Sequence, residues 1–178
     1  MSEGYEEDVD MYDADNASPN MPLPGEVLRR PVSDIEYPED PVCVAPETRV
    51  GDAIQTLADR DIGALPVIED GKIVGLFAVS DLLMKGLWDG TKLDRPVREF
   101  MTPDPITLTP HDTIAFALNR AVIGRYSHIP LVDSAGNLNG ILAMRDVIAY
   151  GLSFFPEEVL GLSPHSEHNP PERSVDGG

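Results

Sequence analysis

Apolar residues along the chain fall into short runs separated by polar, turn-forming stretches, and the same succession occurs twice. Val50, Ala53, Ile54, Leu57 and Ala58 stand at i, i+3, i+4, i+7 and i+8, the single apolar stripe of an amphipathic helix. Ahead of them Val42-Cys43-Val44 reads as a short strand. Pro46-Glu47-Thr48 reads as a turn into the helix, with Thr48 placed to cap it. Gly63 is expected to close that helix region. Pro66-Val67-Ile68 then reads as a strand, Glu69-Asp70-Gly71-Lys72 as a hairpin turn and residues 73–79 as the returning strand. A second helix is expected over about residues 80–88.

The second half copies this pattern. Ile106-Thr107-Leu108 reads as a strand, and Ile114, Ala117, Leu118, Ala121 and Val122 form the helical stripe. Residues 129–132 and 138–144 read as strands, and a helix is expected over about residues 145–152. The copies align by counting. Pro41, Pro46, Ala53 and Pro66 match Pro105, Pro110, Ala117 and Pro130 at an offset of 64. Asp70-Gly71 faces Ser134-Ala135-Gly136, which adds one residue, so Gly75, Ala78 and Asp81 match Gly140, Ala143 and Asp146 at 65. This is an internal repeat of two units, each reading β-α-β-β-α. A unit of this size is marginal alone, so the two are expected to pack on each other.

Composition changes this picture at the ends. Residues 1–40 hold 12 of the 31 acidic and two of the 13 basic residues, so −10 of the net −18 lies there. Residues 1–27 read as an acidic, disordered arm, 28–90 as repeat one, 91–152 as repeat two and 153–178 as an extension, mostly disordered after 163. No basic face suits nucleic acid, no apolar run suits a membrane span, and no signal sequence opens the chain. The expectation is a soluble, cytoplasmic protein. The single cysteine, Cys43, reads as a buried strand thiol rather than a nucleophile.

Taken in order and twice, these residues resemble a tandem pair of CBS domains, the Bateman module. The resemblance is carried by Leu65-Pro66-Val67 and Ile129-Pro130-Leu131, by the acidic-Gly hairpin turn, and by Gly75-Leu76-Phe77-Ala78-Val79-Ser80-Asp81 with its copy Gly140-Ile141-Leu142-Ala143-Met144-Arg145-Asp146. Met101-Thr102-Pro103-Asp104-Pro105 is similar to the usual lead-in of such a repeat. The likeness spans residues 30–152. It implies an α/β (α+β) fold of two pseudo-symmetric βαββα units packed face to face. It also implies two clefts that commonly take AMP, ADP, ATP or S-adenosylmethionine, and further association into a homodimer. Such modules regulate and do not catalyse; with no catalytic or DNA-binding domain alongside, the signal is expected to pass in trans to an unknown effector protein.

A ribose offers adjacent hydroxyl donors, and a carboxylate at a helix start can accept both. By motif position Asp81 and Asp146 take that role; capping of their own helices is the compatible alternative. The resemblance gives the Asp146 cleft walls from Ile141, Cys43 and Ile62, backbone from Val42 and Gly63, and phosphate donors from Ser127 and His128 with Arg125 and Arg145 nearby. It gives the Asp81 cleft Leu76, Ile106, Thr107 and Tyr126, with Thr102 as a polar contact. On this reading the Asp146 cleft is the better equipped for phosphate. Many members carry Ser or Thr three residues after the motif glycine; here both positions are alanine, Ala78 and Ala143. One lost hydrogen bond costs about 0.5–1.5 kcal/mol. A ligand-free interaction module, acting through homodimerisation and its terminal extensions, is therefore the competing reading. His165 and His168 are weak metal candidates in a polar tail, and Trp88 and Phe154-Phe155 read as packing or dimer contacts.

Overall fold

The computed structural model describes residues 24–154, so the N-terminal arm up to residue 23, Phe155 and the histidines of the tail lie outside the described residues. Helix α1 (Pro24–Arg29) precedes the first repeat, which comprises α2 (Val50–Arg60), β1 (Ala64–Glu69), β2 (Lys72–Ala78) and α3 (Val79–Met84). A two-residue strand β3 (Thr102–Pro103) lies in the lead-in to the second repeat. That repeat comprises α4 (Ile114–Gly124), β4 (His128–Val132), β5 (Leu138–Ala143) and α5 (Met144–Leu152).

Each repeat is built on an antiparallel hairpin. Glu69 pairs with Lys72, and Asp70 and Gly71 between them have φ of 51° and 77°. Two consecutive residues of positive φ make the tight turn whose twist suits a hairpin. The extra residue of the second repeat enlarges the equivalent turn, which the Asp133 carboxylate closes by accepting the N–H groups of Ala135 and Asn137 at 2.9 and 2.8 Å.

The expected strands at residues 42–44 and 106–108 do not form. Each shrinks to one parallel bridge, Val44 to Val67 and Leu108 to Leu131. Pro66 and Pro130 accept from Val44 and Leu108 but have no N–H to return, so the ladder cannot lengthen. Cys43 is consequently not a buried strand thiol: it is exposed and its Sγ donates to Pro41 O at 3.1 Å.

The helix ends also differ from expectation. Thr48 does not cap α2; the residue before the helix is Arg49, which makes no side-chain cap. Asp61, left-handed at φ 51°, ends α2 where Gly63 was expected, and Arg125 at φ 56° ends α4. Helix α3 stops at Met84 because Gly86, at φ 63°, turns the chain back; its N–H bonds Leu83 O and that of Leu87 bonds Leu82 O. Trp88 therefore lies beyond the helix, 75% exposed, whereas Leu87 is buried.

The segments leading into the repeats cross over. In chain order residues 28–37 precede the first repeat, yet Val32 and Ile35 are buried in the core of the second, with Leu108, Ile114, Ile129, Leu131 and Leu142. Val97, from the segment before the second repeat, is fully buried in the core of the first, with Val50, Leu57, Leu65, Val67 and Phe77. The backbone follows suit. The first N–H groups of α2, at Val50 and Gly51, bond Arg95 O and Leu93 O at 2.8 and 2.9 Å; that of Ile114, opening α4, bonds Arg30 O at 2.9 Å. Partners from the opposite lead-in thus satisfy donors that a helix start leaves orphaned. Strand β3 extends the same exchange, pairing Thr102 and Pro103 with Leu76 and Gly75 of β2.

A third, small cluster joins the hairpins: Ala64, Leu76 and Ile141, with Ala78 against them. Lys72 reinforces the junction by donating to Ala135 O and Asn137 Oδ1 at 2.5 and 2.8 Å. Among the described residues no helix is long and apolar enough to cross a membrane.

Candidate functional site

A cleft of about 320 Å³ opens where this junction meets the start of α3. Leu76 and Ala78 reach it from β2, Asp81 from α3, Thr102, Pro105 and Ile106 from the second lead-in, and Gly124, Arg125, Tyr126, Ser127 and His128 from the connection between α4 and β4. Gly63 completes the wall. The left-handed turn at Arg125 ends α4 and swings residues 125–128 across the cleft, so the helix terminator also places the donors.

Two glycines make room for the lining side chains. A Cβ on Gly63 would lie 2.4 Å from Cε1 and 2.7 Å from Nε2 of His128, and one on Gly124 would lie 1.9 Å from the Tyr126 ring. The imidazole and the phenol ring therefore rest on bare backbone. The Gly63 carbonyl already accepts the Val79 N–H at 3.0 Å, and Ser127 O accepts that of Met144 at 2.9 Å, which leaves each one lone pair.

Asp81 is the buried charged residue among those described, 7% exposed. Its Oδ2 accepts the Ala78 N–H at 2.8 Å, and its Oδ1 is ion-paired with the Lys85 ammonium at 2.9 Å. Capping is thus real. A carboxylate has about four lone-pair sites, so two remain for hydroxyl donors from the cleft. Sequence reasoning missed Lys85, although its i+4 spacing from Asp81 was a readable signal.

The second motif aspartate has a different setting. Asp146 is half-buried, makes no cap to Ala143, and pairs with the exposed Arg145 at 3.5 Å. It borders a wider, more open groove of about 630 Å³ lined by Ile35, Glu36, Tyr37, Pro38, Arg145, Ala149, Tyr150 and Ser153. Val42, Cys43, Ile62 and Gly63 do not line this groove; Val42 and Ile62 pack against the core of the first repeat. Ile141 and Ala143 are buried. Ser127, His128 and Arg125 open onto the Asp81 cleft, not the Asp146 groove. Thr107 is half-buried and lines neither. Arg125, Ser127 and His128 come together with Asp81 because the strand and helix start of the first repeat face the connection between α4 and β4 of the second. Counting along one repeat could not show that.

Burial, reinforced by the positive charge of Arg145, lowers the His128 pKa below its ordinary value, and Asp146 opposes the shift. The imidazole is therefore neutral at pH 7 and offers a hydrogen bond rather than a charge. Although Cys43 is exposed as a residue, partial desolvation of its sulfur and the negative charge of Asp40 push the thiol up, so it is no activated nucleophile. Phe154 packs edge-on against Tyr150 at 5.1 Å with the Arg30 guanidinium over its ring at 5.0 Å, an intramolecular contact. Among the described residues no three His, Cys, Asp or Glu side chains cluster to hold a metal.

The family model of the CBS domain matches residues 32–86 and 97–153. The chain is 28% identical to CBSX2 solved in complex with AMP, with a TM-score of 0.59 and coverage of 69% of this chain and 96% of that one. CBSX2 is a CBS-pair protein of Arabidopsis thaliana. The inosine-5'-monophosphate dehydrogenase of Thermoplasma acidophilum is 33% identical over 109 residues, 61% of this chain and 21% of that enzyme. The meiotically up-regulated gene 70 protein of Schizosaccharomyces pombe is 29% identical over 128 residues, 71% of this chain and 17% of that protein. The chain thus spans only 17–21% of the length of these two curated relatives.

Proposed function

Because the chain belongs to the CBS-domain family and carries two such domains in tandem, we propose that it binds an adenosine nucleotide in the Asp81 cleft and reports occupancy to an effector protein. CBS pairs are regulatory modules, and catalysis is no part of this reading. The observation that carries it is the gathering of three kinds of group around one cleft. Leu76, Ile106 and Tyr126 supply apolar walls for a flat base, Asp81 supplies acceptors for a diol, and Arg125, Ser127 and His128 supply donors for phosphate.

AMP, the ligand named for the relative CBSX2, is the first candidate. ADP and ATP would reach further along the exposed Arg125. S-adenosylmethionine has no phosphate to meet these donors and ranks below them. The Asp146 groove is the poorer phosphate site: Arg125, Ser127 and His128 open onto the Asp81 cleft instead, and Arg145 shares the groove with the acidic Glu36 and Asp146.

Calorimetric titration tests this. AMP is expected to bind once per chain, and Asp81→Asn to weaken it at least about tenfold, the loss of a charge-assisted hydrogen bond. Asp146→Asn is expected to leave the affinity nearly unchanged. Equal effects of the two substitutions refute the assignment.

A second reading, the ligand-free interaction module, draws on Ala78 and Ala143, which lack the hydroxyl, and on exposed apolar side chains. Leu83, Met84, Trp88, Val122 and Ile123 are 72–83% exposed and offer apolar surface for a protein contact. In both readings a homodimer covers them; light scattering that gives a monomer at micromolar concentration refutes this.

A further inference from the structure

The two motif aspartates occupy equivalent positions but are held differently. The Asp81 carboxylate is fixed from both ends, by the Ala78 N–H on Oδ2 and by the Lys85 ammonium on Oδ1. Lys85 lies one turn further on, just past the end of α3, and does not line the cleft. Its ammonium also donates to Phe100 O at 2.6 Å, in the segment that leads into the second repeat. Lys92 from the same segment donates to Lys85 O and Gly86 O at 3.2 and 3.0 Å, which holds the end of α3 in place. Neither constraint exists at Asp146. Its helix start has no side-chain cap, and Tyr150 stands at the position equivalent to Lys85, its hydroxyl accepting from Arg30.

We propose that Lys85 is the positioning residue for ribose recognition in this protein. By fixing the plane of the Asp81 carboxylate, it aims the remaining lone pairs into the cleft before any ligand arrives. A carboxylate fixed beforehand loses no rotational freedom on binding, and that preorganisation appears as affinity for the diol. Because Lys85 is anchored on Phe100 O, diol recognition in the first repeat depends on the seating of the lead-in segment. The base and phosphate contacts do not pass through Lys85. The inference rests on the Asp81 cleft being the nucleotide site.

The test separates the diol from the rest of the ligand. AMP and 2',3'-dideoxy-AMP are titrated into the wild-type chain, Lys85→Met, Asp81→Asn and the double variant. Lys85→Met is expected to weaken AMP about tenfold while changing 2',3'-dideoxy-AMP by less than about twofold. In the Asp81→Asn background the same substitution is expected to change neither, and Lys85→Arg to recover most of the AMP affinity. Lys85→Gln, which keeps a donor for Phe100 O without the charge, carries the same comparison if the Met variant fails to unfold cooperatively. Equal loss for both ligands, or a further loss on top of Asp81→Asn, overturns the proposal. A wild-type chain that binds neither ligand refutes the nucleotide reading itself. One that binds AMP unchanged by Lys85→Met refutes the positioning role alone.

Discussion

Replacing Gly63 with alanine adds a single methyl group, and the structure says where it goes. It would lie 2.4, 2.7 and 3.6 Å from three atoms of the His128 ring. Non-bonded carbon pairs pack at about 3.5–4.0 Å, so the ring must retreat by about 1 Å. The His128 backbone is fixed in β4 opposite Ala143, so the side chain must do the moving. Overpacking of this kind costs about 1–3 kcal/mol. At this size each kcal/mol lowers the unfolding midpoint by about 2–4 °C. Gly63 does not need a left-handed backbone, so alanine carries no conformational penalty there. With the ring removed by His128→Ala, Gly63→Ala is instead expected to be neutral or to stabilise by about 0.4–1 kcal/mol, through the unfolded chain. The assay is thermal or urea unfolding of the four proteins of this cycle. A penalty for Gly63→Ala of the same size in both backgrounds refutes the steric account. The displaced ring also leaves its place in the cleft, so AMP is expected to lose more affinity than adenosine does.

Two further outcomes follow from other parts of the fold. The His128 pKa is lowered in the folded protein, so the unfolded chain binds the extra proton first as pH falls. Stability is then fully present above the ordinary value of about 6.5 and lost as pH falls through the lower folded value. Unfolding measured from pH 7.5 to 5 should show this slope, and His128→Gln should flatten it; an unchanged slope in the variant assigns it elsewhere. Val97→Ala and Val32→Ala each empty a fully buried site. Each is expected to cost about 2–3 kcal/mol in urea unfolding, although both residues lie in lead-in segments outside the hairpins. A loss below 1 kcal/mol for either contradicts its place in the core.

The hairpins and the stripe helices were legible because their signals are local: period-2 and period-3.6 patterns, and an Asp-Gly turn of fixed geometry. The leading strands were not, since Pro66 and Pro130 cut their ladders to one rung, a fact about the partner rather than about residues 42–44. Asp81 could be picked out by motif position, but the grouping of Arg125, Ser127 and His128 with it depends on how one repeat faces the other. Gly86 ended α3 two residues past Met84, and its positive φ could have been suspected from the residue type alone.

The crossing of the lead-in segments has a consequence for how the chain holds together if it is cut. Neither half owns all of its core: the first needs Val97 and the carbonyls of Leu93 and Arg95, the second needs Val32, Ile35 and the carbonyl of Arg30. A nick at Asp89 or Gly90, in the exposed turn between the halves, severs one covalent connection and none of these contacts. The two fragments should stay assembled, and separately made fragments should find each other by complementation. A single half kept on its own could satisfy its core only by trading arms with another copy of itself, as a swapped dimer. The intact chain makes that trade internally, with the tether keeping the partner arm at an effective concentration near the millimolar range.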